Sequence, residues 1–251
     1  MKSNMLVGLA LIASQLSTGQ VKMQPTLRSQ TVFWPVRTNM QGNYIPTTEY
    51  NINQMKSRDS GILFNGNAYV ETASRPEVSI NTNGFTVCFW FSPSKLDYSN
   101  VETDRDYIYI MGKGEPNKHE WAVRMYDKTS TISSKPQRIS FYVFNSDGGL
   151  GAGSFVQEPV QIGEWIHIAG VVDRQFTYLY KNGIFKRKDD YHNYPVQGTV
   201  IDVNPERGNA PLRIGTRNLG SFFEGTIADV RIYQEALTAQ NIKDIYDFTK
   251  R

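Results

Sequence analysis

The sequence predicts an all-β protein, an antiparallel β-sandwich of two sheets with one short C-terminal helix. Short runs of aromatic and β-branched residues alternate with Gly, Asn and Asp turn signals over most of the chain. The pair Asn182-Gly183 follows such a run, and this pair favours a tight hairpin because both turn residues need a positive φ. A chain of 251 residues is long enough to bury one large core. Together these observations favour a single β-sandwich domain.

The N-terminal residues 1–19 are predicted to be a signal peptide or an apolar arm. Lys2 precedes the apolar run Met5–Ala13, which is too short to span a bilayer as a helix. Its length suits the core of a signal peptide, and Ser17-Thr18-Gly19 offers small residues for cleavage before Gln20. If the segment is retained, it needs a partner surface to bury it.

Residues 20–58 are predicted to be an N-terminal extension or linker, and residues 59–251 the β-sandwich domain. The extension mixes Gln, Asn, Thr and Pro with isolated aromatic residues and shows neither helical nor strand periodicity. Strand patterns begin at Gly61. The predicted strands, in order, are Ile62–Phe64, Ala68–Glu71, Phe85–Phe91, Tyr107–Met111, Trp121–Tyr126, Arg138–Asn145, Ile162–Val172, Phe176–Lys181, Leu212–Gly215 and Gly225–Tyr233.

Three stretches within this series have distinct interpretations. Phe85–Phe91 is apolar on both faces, which indicates a central strand covered on both sides. The run around Trp165 indicates a second buried strand. The glycine-rich residues 148–153 are interpreted as a mobile loop beyond a strand, because no helix signal follows that would make them a phosphate-binding loop.

One helix is predicted, over Thr238–Phe248. Thr238 can serve as its N-cap, and Ile242, Ile245 and Tyr246 recur at three- and four-residue spacing on one side. That apolar stripe should pack against a sheet.

In this order of elements the chain resembles the laminin-G-like jelly rolls of the concanavalin A-like lectin/glucanase superfamily. The resemblance covers about residues 61 to 248. It rests on Leu63-Phe64-Asn65-Gly66, Tyr69-Val70-Glu71, Phe85-Thr86-Val87-Cys88-Phe89-Trp90-Phe91, Gly163-Glu164-Trp165-Ile166-His167-Ile168-Ala169-Gly170, Leu179-Tyr180-Lys181-Asn182-Gly183, Leu212-Arg213-Ile214-Gly215, Phe223–Tyr233 and Ala236-Leu237 with the helix. Two positions depart from the family pattern: Lys181, where an apolar residue is common, and Asn241, where an acidic capping residue is common. The resemblance implies a two-sheet antiparallel jelly-roll β-sandwich.

Composition argues against several functions. The net charge is +3, and the basic run Lys186-Arg187-Lys188 is followed at once by Asp189-Asp190, so nucleic acid is not an expected partner. A single cysteine, Cys88, excludes an internal disulfide and lies mid-strand, where it is typical of a small core side chain. No transmembrane span is expected.

No catalytic residues are predicted. A glycoside hydrolase needs two carboxylates at a fixed separation, and related glucanases supply them as Glu-x-Asp-x-x-Glu on one strand, a pattern missing here. The glutamates occur singly, at Glu71, Glu77, Glu120, Glu158 and Glu164. The histidines do not cluster: His119 and His192 are interpreted as loop residues and His167 as structural.

Calcium is a possible cofactor, because many relatives bind it through loop carboxylates and carbonyls. Asp104 with Asp106, or Asp147 beside Asn145, could supply hard oxygen ligands. The alternative is that these are polar turn residues bonded to their own backbone.

The strongest functional signal is aromatic. Strand alternation places six side chains on faces opposite the core, a set that suits sugar rings or a protein partner. These candidate ligand-binding residues are Tyr107, Tyr109, Arg124, Tyr126, Tyr142 and Phe144. The alternative is that loops or the 20–58 extension cover them.

Three functional hypotheses follow. The first is a secreted or cell-surface recognition and adhesion module that binds glycan or protein through a sheet face or rim loops, and it expects a solvent-exposed aromatic patch. The second is a structural subunit of a larger assembly, such as a virion or surface filament, docked through residues 1–58. The third, a glycoside hydrolase, lacks the paired carboxylates. Fold alone does not choose between them.

Overall fold

A computed structural model describes residues 61–98, 107–115, 118–130, 135–145 and 149–251, and the backbone of 30–34, 47–50 and 56–58. The strands, in chain order, are β1 (Gln30–Trp34), β2 (Thr47–Tyr50), β3 (Lys56–Arg58), β4 (Gly61–Asn65), β5 (Tyr69–Thr72), β6 (Phe85–Pro93), β7 (Tyr107–Glu115), β8 (Lys118–Tyr126), β9 (Arg138–Phe144), β10 (Gly151–Gln157), β11 (Ile166–Val172), β12 (Phe176–Lys181), β13 (Ile184–Asp190), β14 (Tyr194–Val196), β15 (Thr199–Ile201), β16 (Leu212–Ile214) and β17 (Glu224–Tyr233). One helix, α1 (Ala239–Thr249), follows them, and a 3-10 helix lies at Pro76–Val78. The predicted all-β sandwich with a C-terminal helix is confirmed.

Fifteen of the strands form two antiparallel sheets, and β14 and β15 pair with each other in a separate hairpin. The first has the order β13-β12-β11-β6-β17-β4-β3, and the second β10-β9-β8-β7-β16-β5-β2. Strand β6 pairs with β11 on one side and β17 on the other, so the predicted central strand is confirmed. Strands β1, β2 and β3 come from the predicted 20–58 extension and add to these sheets, β1 by pairing with β17.

The main core lies between the two sheets. Phe85, Phe89 and Phe91 of the first sheet are fully buried there, as are Trp121 and Phe141 of the second. Burying one such side chain contributes about 1.5–3 kcal/mol. Because side chains alternate along a β-strand, one set points into this core and the other set lies on the outer face of the sheet.

Helix α1 covers the outer face of the first sheet. Ile242 and Ile245 pack there with Cys88, and Trp90 Nε1 donates a 2.8 Å hydrogen bond to Thr249 Oγ1. The Cys88 thiol is sealed in this layer, and its burial raises its pKa to about 12. Within the described ranges no helix combines the length and apolarity needed to cross a bilayer.

The helix begins as predicted. Thr238 Oγ1 accepts from the Asn241 backbone N–H, and the Asn241 side chain accepts from the Thr238 backbone N–H, each at 3.2 Å. Asn241 thus completes a capping box that usually uses an acidic residue. Lys181, the other departure from the family pattern, is buried and donates its Nζ to Glu158 Oε2 at 3.1 Å.

The start of the strand near Trp165 was predicted wrongly. Strand β11 begins at Ile166 rather than Ile162, because Gly163 turns the chain with φ 82°. Trp165 consequently lies before the strand, half-buried, with the Arg251 guanidinium 4.7 Å from its ring centroid. The edge strand β13 was not predicted, since its sequence is mainly charged.

His167 is a structural residue of the layer between the first sheet and α1. Its ring lies 5.2 Å from that of Trp90 and 5.9 Å from that of Tyr246, and its Nδ1 has no hydrogen-bond partner among the described residues. Burial lowers the pKa of His167 to about 3, and the positive charge of Arg231 acts in the same direction.

The neutral His167 predicts a loss of stability in acid. An unfolded histidine titrates near pH 6.5, so between that pH and about 3 the unfolded state binds a proton that the folded state does not. The contribution is complete above pH 6.5 and falls by about 1.4 kcal/mol per pH unit below it. His167→Phe should therefore flatten the pH dependence of the free energy of unfolding, measured by urea denaturation between pH 7 and 5. Ile245→Val, a control in the same layer, should lower stability equally at each pH, and equal slopes for His167→Phe and wild type would contradict the assignment.

Candidate functional site

The outer face of the second sheet brings together all six predicted ligand-binding residues. Strand β7 supplies Tyr107 and Tyr109, strand β8 supplies Arg124 and Tyr126, and strand β9 supplies Tyr142 and Phe144. We call this set the tyrosine face. The register explains it, because Tyr109 pairs with Arg124, and Tyr107 with Tyr126, across β7 and β8.

Two β-bulges between β7 and β8 decide which neighbouring side chains join this face. At the first, Ile110 is an extra residue, so Ile110 and Met111 both enter the core. At the second, Glu120 is extra, so Glu120 and Trp121 are both buried inside. The second bulge returns His119 to the outer face, which was predicted wrongly as a loop position.

The aromatic rings support one another. The Tyr107 ring centroid lies 5.4 Å from that of Tyr109 and 5.1 Å from that of Tyr126, and the Tyr142 and Phe144 centroids are 6.1 Å apart. Such tilted and edge-on pairs contribute about 0.5–1.5 kcal/mol each. Tyr107, Tyr109, Tyr126 and Phe144 are between 3% and 5% exposed, and Tyr142 is half-buried. The face is therefore a compact cluster rather than the open aromatic patch that the recognition hypothesis expected.

Arg124 lies at the centre of the cluster and is 8% exposed. Its guanidinium carbon is 4.1 Å from the Tyr142 ring centroid, 4.6 Å from that of Tyr107 and 5.5 Å from that of Tyr126. Cation–π contacts contribute about 0.5–2 kcal/mol each. Burial acts to lower the pKa of Arg124, but the surrounding tyrosine oxygens raise it above its usual value, so the side chain is charged at neutral pH.

Glycines of strand β10 make room for the rings of β9. Gly151 pairs with Phe144 and Gly153 with Tyr142. A Cβ on Gly151 would lie 2.5 Å from the Phe144 ring, and one on Gly153 would lie 2.0 Å from the Phe141 carbonyl oxygen and 2.7 Å from the Tyr142 ring. Residues 148–153 were predicted to be a loop, and this was wrong for Gly151 and Gly153, which lie in β10. Glycine has low strand propensity, so the sequence did not indicate a strand. Here the absence of side chains makes room for the rings of β9.

A second arginine borders the face and was missed in the sequence. Arg217, in the loop after β16, places its guanidinium carbon 3.9 Å from the Tyr109 ring centroid and donates from Nη1 to His119 Nδ1. The His119 ring in turn lies 5.1 Å from that of Phe144. Burial, with the charge of Arg217, lowers the pKa of His119 to about 4, so His119 accepts as a neutral imidazole. No periodic pattern marks Arg217, since it lies in a loop.

The described glutamates nearest this sheet are bound to basic side chains. Arg213 Nε donates to Glu71 Oε2 at 2.6 Å and Arg213 Nη2 donates to Glu115 Oε1 at 2.8 Å. Glu120 is fully buried, accepts from Lys113 Nζ and receives the Ile80 backbone N–H at 3.1 Å. Burial raises the pKa of Glu120 while the Lys113 contact opposes this.

The calcium prediction is only partly within the described residues. Asn145 uses its Oδ1 to accept the Asn204 backbone N–H at 2.6 Å, which ties two loops together. Asp104, Asp106 and Asp147 lie outside the described residues. In the part of the chain that the structure describes, no group of three or more His, Cys, Asp or Glu side chains is arranged to hold a metal ion.

The sequence and the fold were compared with known proteins. A family model described as Laminin_G_3, Concanavalin A-like lectin/glucanases superfamily, matches residues 64–243, which confirms the resemblance. No curated protein matches the chain.

Among solved structures, the botulinum neurotoxin serotype D ligand-binding domain in complex with N-acetylneuraminic acid has a TM-score of 0.62 at 12% identity, over 87% of this chain and 50% of that one. The botulinum neurotoxin serotype G binding domain gives 0.59 at 16%, over 86% and 50%. Domain 4 of AbnA, a GH43 extracellular arabinanase from Geobacillus stearothermophilus, in complex with arabinotriose, gives 0.52 at 19%, over 86% and 87%. The chain spans about half the length of the toxin domains. At these sequence identities, the TM-scores show a shared fold and nothing more.

The packing of Tyr142 over Gly153 predicts that even one added methyl group disturbs the face. Gly153→Ala should lower the free energy of unfolding by about 1–3 kcal/mol, as overpacking does, and should change the near-UV circular dichroism of the tyrosines. Gly149→Ala is the control: its Cβ meets no atom within 4 Å, and its cost comes from a positive φ of 82°. A Gly153→Ala protein with unchanged near-UV signal and wild-type stability would contradict this packing.

Proposed function

The chain belongs to the Concanavalin A-like lectin/glucanases superfamily, and we propose that within it this protein is a non-catalytic carbohydrate-recognition module that binds sugar at the tyrosine face. The observation that carries the proposal is the contrast between the two outer faces. The first sheet's outer face is closed by α1 with apolar contacts around Ile242 and Ile245. The second sheet's outer face instead packs tyrosines around Arg124 and leaves Tyr142 half-buried.

The chemistry of that face suits a sugar. Sugar rings have an apolar side that packs on aromatic rings, while their hydroxyls need donors and acceptors at the edge. Tyr142 is the least buried ring of the set, and its hydroxyl lies 2.8 Å from that of Tyr194. Exposed Leu150 precedes Gly151, directly beside the Phe144 end of the face. A ligand would therefore approach over Tyr142 and reach the edge of Arg124.

The disposition of the carboxylates favours recognition over hydrolysis. A glycosidase keeps one carboxylic acid to donate a proton and a second carboxylate about 5 to 9.5 Å away. Glu71 and Glu115 are instead held by Arg213, and Glu120 is held inside the sandwich by Lys113. Each of these side chains has a structural ion pair to break before it could act on a sugar.

Two of the similar structures guide the choice of ligands for a test. They were solved with N-acetylneuraminic acid and with arabinotriose. An export signal in residues 1–19 would place the module outside the cell or on its surface, which is the setting that we propose for it.

The proposal predicts binding to an oligosaccharide array through Tyr142 and Phe144. Tyr142→Ala and Phe144→Ala should each weaken binding of the strongest array ligand roughly tenfold or more, about 1.4 kcal/mol, because each removes a ring from the face. Titration calorimetry measures the affinities, and circular dichroism verifies that each variant is folded.

Phe185→Ala is the matched control, since Phe185 is an exposed aromatic residue of β13 in the first sheet. Its affinity should equal that of wild type. If Tyr142→Ala and Phe144→Ala both keep the wild-type affinity, the tyrosine face is not the binding site. The same conclusion follows if only Phe185→Ala loses affinity. Failure of the wild-type protein to bind any sugar on the array would overturn the proposed function.

A further inference from the structure

Arg124 differs from Arg213, the other buried arginine in a strand of the second sheet, in having no ion pair with a described carboxylate. Arg213 binds two carboxylates, those of Glu71 and Glu115. Arg124 has no ion pair with any described carboxylate. Its guanidinium packs against the rings of Tyr107, Tyr126 and Tyr142. Burying a charge without an anion is costly, and proteins ordinarily compensate it with a carboxylate or a phosphate.

The unused donors of Arg124 form one edge of the guanidinium. Its Nε donates to Ser140 Oγ at 3.2 Å, which fixes the plane of the group. Among the described residues neither Nη1 nor Nη2 donates a hydrogen bond, and neither is among the fully buried atoms that lack a partner. The two terminal nitrogens are thus left in a planar fork that reaches solvent, the arrangement that matches two oxygens of a carboxylate.

The surroundings increase the preference for an anion. The guanidinium of Arg217 lies against Tyr109 and that of Arg138 against Phe155, so further positive charge stands at two sides of the face. Glu71 and Glu115, on the β16 side of the sheet, are both held by Arg213. Asp189, on the β10 side, is held by Arg187. Positive charge in a partly buried cleft attracts negatively charged ligands and disfavours positively charged ones.

We infer that the sugar bound at the tyrosine face carries a carboxylate, as uronic acids do, and that Arg124 binds it end-on through Nη1 and Nη2. This inference rests on the proposed function and names the ligand class for that same site. The rings of Tyr107 and Tyr142 hold the guanidinium in place, so the fork is formed before the ligand arrives. A neutral sugar would leave the fork unpaired and would bind more weakly.

The test compares carboxylated oligosaccharides with neutral sugars of the same skeleton. Trigalacturonic acid is paired with galactotriose, and sialyllactose with its neutral methyl ester, in titration calorimetry at one fixed salt concentration. Wild-type protein should bind at least one carboxylated member roughly tenfold or more tightly than its neutral counterpart. Arg124→Gln should remove this difference, and Arg124→Lys, which keeps the charge without the fork, should retain a reduced one.

Arg174→Gln is the matched control, because Arg174 is an exposed arginine in the turn between β11 and β12 of the first sheet and not on the tyrosine face. It should keep the wild-type preference for the carboxylate. The wild-type comparison stands by itself if Arg124→Gln does not fold.

The remaining outcomes would overturn the carboxylate inference alone or the proposed function with it. If no carboxylated sugar is preferred over its neutral counterpart, the inference is wrong, while binding of neutral sugars that depends on Tyr142 leaves the proposed function in place. Equal affinity for a sulfated trisaccharide would overturn the planar carboxylate fork in favour of general anion attraction. A poly-glutamate peptide that binds where no sugar does would overturn both the inference and the proposed function.

Discussion

The packing of Phe141 against the first sheet is the contact on which the rest of the second sheet depends. Its ring fills the space above Gly170 of β11, where a Cβ would lie 2.4 Å from the ring. Because side chains alternate along a strand, this inward position of Phe141 sends Tyr142 and Phe144 to the opposite face. A slip of one residue in β9 would exchange the core and the tyrosine face, so the core register and the site register are the same constraint.

Much of this arrangement is predictable from the sequence, because strand alternation is a local rule. Alternation predicted that the six residues of the tyrosine face share one side, and turn signals located most strands. The bulge at Glu120 was not predictable, since it depends on how β8 meets β7, and it moved His119 onto the face. Strand β10 was missed for a related reason: the need for Gly151 and Gly153 comes from rings on the neighbouring strand. The burial of the tyrosine face depends on tertiary packing, which the periodicity of the sequence does not predict.

The two buried arginines in the strands of the second sheet have different ionic contacts. Around Arg213, Glu71 and Glu115 both accept hydrogen bonds from one guanidinium, so its charge is paired within the protein. Around Arg124 the charge is supported by tyrosine rings and by Ser140, and the terminal nitrogens have unused hydrogen-bonding capacity. The sandwich supplies a rigid sheet for both, and the recognition site that we propose lies in the half that contains Arg124.

The most direct test of this account is to map the binding face by NMR. The protein, labelled with ¹⁵N, is titrated with trigalacturonic acid, and with galactotriose for comparison, while backbone amide and arginine Nε–Hε signals are followed. If the sugar binds at the tyrosine face, chemical-shift changes concentrate on β7, β8 and β9 and include the Arg124 Nε–Hε signal, while amides of β11, β12 and α1 stay unchanged. Shifts centred on α1 or on the first sheet, with β7 to β9 unaffected, would contradict it.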